Sequence, residues 1–300
     1  MKSSLVVNER AITLAKRLFS DERLPKLLDL LEDKDVQFSV VREIVDICPD
    51  VVTAAVIILG VSLVSYQLSR KGEEHWKWLL SLIRKSTPSG LDDAFRMLKL
   101  FVMQSPSLMR LRRSRLGRID RFIRSFVPAY VNKFPFIWQD LRSIWLLLSR
   151  EMSSPRDSKT IVFAIKMYYY VLKALEVYIN PPMEIPIPAD YRVCLVSLTS
   201  GIVSAYPRPT GPKEYRSLAR LLKAKKQGLV RSVWADICGC VNVPPLRIDS
   251  LLWIFGGIID RNDMQFPLCE QSLSNLLTGD SLRYGMVLLK FLMNDIRIAW

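Results

Sequence analysis

The chain is poor in the residues that most catalytic and metal sites require. It has one histidine, His75, among 300 residues. Serine–histidine and cysteine–histidine hydrolase designs would all have to use that single imidazole, which argues against them. Five cysteines stand at 48, 194, 238, 240 and 269, an odd number that makes no disulfide framework. Cys238 and Cys240 are the only close pair, and we read them as two small buried residues. Zinc needs about four ligands at characteristic spacing, and iron–sulfur clusters need grouped cysteines; the sequence has neither pattern. It also lacks a Gly-rich phosphate loop. With 12 Gly and 17 Pro it is not collagen-like or of low complexity. Acidic charge is scarce too. Asp and Glu total 29 against 43 Lys and Arg, a formal net charge of +14. That excess predicts a polyanionic partner, either nucleic acid or an anionic membrane surface.

Half of the residues are hydrophobic, which excludes intrinsic disorder. A chain of this length buries roughly 75% of its unfolded surface, enough for one large domain or two lobes. Glu9 and Arg10 come too early for a signal peptide. Residues 51–69 carry no charge and are near the minimum length for a membrane span. Thr53, Ser62, Ser65 and Gln67 interrupt the run, so we read a buried core helix. A soluble, reducing, cytoplasmic setting is expected, with no membrane partner.

The periodicity is helical almost throughout. Ile161, Ile165, Tyr168, Leu172 and Leu175 make one stripe, and Ile248, Leu251, Leu252, Phe255 and Ile258 a second. Leu282, Met286, Leu289, Met293, Ile296 and Trp300 make a third, with Arg283, Lys290 and Arg297 off it. Residues 193–203 could form a strand, but no turn-linked partner follows, so we assign helix. Asp50 and Ser89-Gly90 look like helix starts, residues 180–188 must be extended, and Pro244-Pro245 opens a helix. The expected fold is all-α, with about a dozen helices.

Residues 110–124 hold seven arginines and one aspartate. Arginine makes bidentate contacts with phosphate, so Arg112, Arg113, Arg115, Arg118 and Arg121 are assigned to nucleic acid. Lys223, Lys225, Lys226 and Arg231 form a weaker second patch. The other reading of such runs is a solvated helix face, or a non-catalytic basic helical module that binds nucleic acid.

Lys159 stands where a helix should begin, with Asp157 or Ser158 as N-cap. There it feels the positive end of the helix dipole, which favours a neutral, nucleophilic amine. Lys166 follows two turns on, along the same face. Asp190 ends the proline-rich stretch and is placed to cap the next helix. Asp249 and Trp253 are four apart on one helix face. Trp76 and Trp253 offer flat surfaces on which a base could stack, and Gln37 is an amide able to read a base edge.

Four stretches, 65–76, 158–166, 185–193 and 244–253, resemble the archaeal 8-oxoguanine DNA glycosylase/AP lyase family, a divergent branch of the helix–hairpin–helix glycosylases. The run Ile185-Pro186-Ile187-Pro188-Ala189-Asp190-Tyr191-Arg192-Val193 is the most specific. The resemblance extends from about residue 20 to 270. It implies a two-lobed helical glycosylase with its active site in the cleft between the lobes. Residues 1–275 would be one glycosylase domain of two helical subdomains, and 276–300 a helical extension. It implies Lys159 as Schiff-base lysine and Asp190 as catalytic aspartate. Trp76, Trp253, Asp249, Lys166 and Gln37 would line the base pocket. It implies no cofactor, and a monomer acting on DNA that contains 8-oxoguanine. The basic run 110–124 and residues 275–300 lie outside the matched motifs and inherit no role.

Overall fold

In a computed structural model, residues 4–299 are described, with side chains through 296. The chain divides into two compact units. Lys34–Ile185 forms one; the residues before and after it form the other.

The Lys34–Ile185 unit is built around the apolar run. Asp50 accepts a hydrogen bond from the Thr53 amide at 2.8 Å and starts helix Val51–Val64. Every residue from Thr53 to Val64 is buried, so that part of the uncharged run is core; residues 66–69 lie beyond the helix end and are half-buried or exposed, which shortens the expected helix. No helix among the described residues is long and apolar enough to cross a membrane. The main partner of Val51–Val64 is helix Lys159–Ala174, which is buried around nearly its whole circumference. Helix Leu91–Gln104 also packs here and approaches closely at Gly60. A Cβ at Gly60 would stand 2.8 Å from the Leu98 methyls. Helix Arg112–Arg121 runs through a π-turn, Phe122–Phe126, into helix Val127–Ile137. Phe122, Phe126 and Tyr130 stack at 5.2 and 5.3 Å, and the Tyr130 and Tyr168 hydroxyls are 2.8 Å apart.

The other unit is helical apart from one antiparallel pair, Ser4–Val7 with Val203–Tyr206. That pair corrects the reading of 193–203. Tyr191–Thr199 is the expected helix, but a strand follows it. Its partner is not turn-linked; it lies about two hundred residues earlier, where local pattern cannot reveal it. Helices Tyr191–Thr199 and Pro245–Arg261 pack closely at Gly256, where a Cβ would stand 3.0 Å from the Arg192 Cβ. The second predicted stripe, Ile248 to Ile258, is buried. Of the third, Leu289, Met293 and Ile296 are buried and Leu282 and Met286 are half-buried against the same core; the stripe crosses a break, since helix Gly279–Leu292 ends at Met293 and Asn294–Ala299 follows. Trp300 lies outside the described residues. The helices outnumber the expected dozen.

Candidate active site

In the Lys34–Ile185 unit the candidate residues gather along one stripe. Lys159 is the first residue of helix Lys159–Ala174. Phe163, Lys166 and Tyr170 follow at helical spacing, so all four share a face. Ser158 is the N-cap by backbone geometry, but its side chain makes no capping bond and its Oγ is buried without a partner. Trp76, on helix Gly72–Lys85, is 1% exposed and lies 6.4 Å, centroid to centroid, from Phe163. Its ring is enclosed where the sequence suggested an open flat surface.

Lys166 is buried, with its ammonium 5.5 Å from the centre of the Tyr170 ring. The Tyr170 hydroxyl donates to Asp35 Oδ2 at 2.9 Å. Asp35 caps helix Val36–Ile47, its Oδ1 accepting from the Gln37 amide at 2.8 Å. Burial pushes the Asp35 carboxyl up, opposed by the Lys166 charge, the Gln37 N–H and the Tyr170 hydroxyl. One carboxylate thus ties together the two helices that carry Gln37 and Lys166. The Gln37 side chain lies within this cluster's helix at 3% exposure, and its Oε1 is buried with no hydrogen-bond partner. Phe163, Tyr170 and Asp35 escaped the sequence reading. The spacing from Lys159 could have found the first two; Asp35 is 135 residues from Tyr170 and carried no signal.

The basic run divides. Arg112, Arg113 and Arg121 are exposed, and Arg118 is half-buried, donating to Thr160 Oγ1 at 2.8 Å. Arg115 corrects the assignment: it is fully buried. It donates to the carbonyls of Val64, Leu108, Arg110, Tyr66 and Gln67 and lies 4.8 Å from the Tyr66 ring centre. It is one turn into the helix, on the face packed against Val51–Val64, and no phosphate can reach it. His75 is buried nearby. Its Nε2 is 2.9 Å from Ser65 Oγ, and burial, with the Arg115 charge, pushes it down to about 3. The single histidine is therefore a neutral core residue.

In the other unit Asp190 is the N-cap of helix Tyr191–Thr199, as expected, accepting from the Val193 amide at 3.0 Å. Asp249 and Trp253 lie on helix Pro245–Arg261, Asp249 buried and Trp253 half-buried. The Arg192 guanidinium stacks on the Trp253 ring at 4.0 Å, so the helix that Asp190 caps is joined to the one that carries Trp253. Arg192, two residues after the aspartate, was also missed. Lys225 and Lys226 are exposed at the turn between helices Pro212–Lys225 and Gln227–Val241. All five cysteines are free; Cys238 is buried, with its thiol pushed up to about 12, but Cys240 is exposed, which corrects half of that reading.

The chain is similar to known proteins along most of its length. A protein of Methanopyrus kandleri named N-glycosylase/DNA lyase is 30% identical over 228 residues, covering 73% of this chain and 79% of its own length. One of the same name from Thermococcus kodakarensis is 27% identical over 248 residues, covering 81% and 83%. The 8-oxoguanine DNA glycosylase of Pyrobaculum aerophilum, solved in complex with 8-oxoguanosine, shares the fold. Its TM-score is 0.70 at 22% identity, over 93% of this chain and 97% of that one. The AGOG family model, described as N-glycosylase/DNA lyase, matches residues 22–283. With that match over most of its length, the chain belongs to the N-glycosylase/DNA lyase family.

Proposed function

We propose that this protein removes 8-oxoguanine from DNA through a Schiff base at Lys159 and then cuts the strand by β-elimination, working as a cytoplasmic monomer. The observation that carries the reading is the Gln37 amide oxygen, buried without a partner beside the cluster that holds Lys166. 8-Oxoguanine differs from guanine in carrying a proton on N7. A buried acceptor facing that N–H favours the damaged base, because guanine would leave it unpaired. The Pyrobaculum relative's complex with 8-oxoguanosine supports the same substrate.

The target nucleotide must leave the stack before its sugar can be reached, at a cost of about a few kcal/mol. Contacts from Arg112, Arg113, Arg118 and Arg121 to the phosphate backbone offset that cost. Gln37, Lys166 and Asp249 serve the base edge, and half-buried Trp253 offers a face for it, while enclosed Trp76 backs the helix that carries Lys159 and Lys166 through Phe163. Neutral Lys159 Nζ attacks C1′; the C1′–N9 bond breaks, and the base leaves with the bonding electrons and takes up a proton. The Asp190 carboxylate stabilises positive charge developing on the sugar and accepts a proton. The sugar ring opens to an imine, loss of a C2′ proton expels the 3′ phosphate, and water then hydrolyses the imine to free the lysine.

Borohydride reduction tests the reading. The wild-type chain should be trapped covalently on DNA containing 8-oxoguanine. Lys159→Gln should abolish trapping while DNA affinity, read by anisotropy, stays within about twofold. Trapping that persists in Lys159→Gln overturns the lysine assignment. Equal release of guanine and 8-oxoguanine overturns the role of Gln37.

A further inference from the structure

The loop ahead of helix Arg112–Arg121 exposes two large apolar side chains, Met109 at 65% and Leu111 at 48%. Leu111 has φ +56°, in the left-handed region that residues with a side chain rarely adopt. The conformation is held firmly. Arg115, one turn on, is fully buried and binds the Leu108 and Arg110 carbonyls of the loop on one side. On the other it binds the carbonyls of Val64, which ends the core helix, and of Tyr66 and Gln67 just beyond it. A buried guanidinium therefore fixes a strained loop whose two apolar side chains stay about half exposed or more. Strain held in place this way points to a use outside the fold. Arg110, Arg112 and Arg113 alternate with these side chains, and all three are exposed. Arg118 lies seven residues from Leu111, two turns or roughly 10 Å along the axis. It donates to Thr160 Oγ1, beside Lys159.

We propose that Met109 and Leu111 form a wedge that enters the base stack of duplex DNA next to the extruded nucleotide, with Arg110, Arg112 and Arg113 on the flanking phosphates. Apolar side chains inserted between base steps unstack them and keep the duplex open, and arginine holds phosphate by paired hydrogen bonds. The separation from the Arg118–Thr160 contact is well within the width of a duplex. The proposal rests on reading Lys159 as the reactive amine; it assigns the rest of the basic segment to holding open the strand that Lys159 attacks.

Leu111→Gly is the test, because glycine adopts positive φ freely and the loop keeps its shape. Base release would be measured on an 8-oxoguanine duplex and on the lesion strand alone. A 2-aminopurine beside the lesion in the duplex reports unstacking. Release from the duplex should fall about tenfold, as the unstacking energy is no longer offset. Release from the single strand should stay within about twofold. The rise in 2-aminopurine fluorescence on binding should disappear while the duplex still binds. Unchanged release from the duplex overturns the wedge, as does equal loss on both substrates or an undiminished fluorescence rise. Binding of wild type to phosphatidylserine vesicles that Leu111→Gly loses, with duplex release unchanged, overturns it in favour of a membrane surface. If Lys159→Gln is still trapped by borohydride, the amine assignment fails instead, and the fluorescence measurement still decides the wedge.

Discussion

Two buried polar clusters lie in the same unit, and they differ in one respect. Around Arg115 every guanidinium nitrogen meets a backbone carbonyl. Around Asp35, the cap of Gln37 and the Tyr170 hydroxyl are equally well paired, yet the Gln37 Oε1 is left without a partner. An unpaired buried acceptor is unfavourable by about 1–3 kcal/mol, and the proposed function gives this one a partner in the N7–H of the damaged base. The guanidinium of Arg115 is spent on the fold, whereas the Gln37 amide oxygen is left for the base-reading role proposed above.

The comparison can be broken first from the Arg115 side, with acid. His75 sits beside Arg115, and its folded-state value of about 3 lies below its ordinary 6.5. The unfolded chain therefore binds the proton more readily. Stability is fully present above pH 6.5 and is lost as pH falls toward 3, by on the order of 5 kcal/mol over the whole span at 1.4 kcal/mol per unit. Urea midpoints across that range, with His75→Gln as the reference that lacks the limb, would measure it. Next, Arg115→Met should destabilise the chain by about 3 kcal/mol or more, since it leaves several buried carbonyls unpaired. It should also shift the acid limb downward in magnitude by removing a cation from beside His75. Gln37→Leu should behave oppositely. Its stability should change by less than about 1 kcal/mol, while single-turnover release of 8-oxoguanine falls about a hundredfold. A large loss of stability with intact release would reverse the two assignments. Tyr170→Phe is the mildest. It removes one hydrogen bond to Asp35, about 1 kcal/mol. Base release should slow severalfold, and cleavage at a preformed abasic site, where no base is held, should change less.

Much of this was legible in the sequence where the signal is local. Asp190 and Asp50 announce caps, Pro245 a helix start, and Lys159 and Lys166 a shared face. Their positions follow from short-range rules of backbone geometry. What was not legible depends on long-range pairing. Arg115 reads like its neighbours in an arginine run; only carbonyls about fifty positions earlier make it a core residue. Asp35 acquires its role from Tyr170, and the Val203–Tyr206 strand from Ser4–Val7. Trp76 was read as a platform because aromatic spacing cannot tell an open face from an enclosed one.

The strand pair also bears on how the chain reaches this state. Lys34–Ile185 is continuous and can assemble as soon as it has emerged from the ribosome, by contacts among its own helices. The flanking unit cannot: its first strand waits for a partner about two hundred residues downstream, and such distant closures are slow. The lysine-bearing body should thus mature early in synthesis and the aspartate-bearing body late. On the roles proposed for the two residues, a truncated product would carry Lys159 without Asp190 and would not act on DNA.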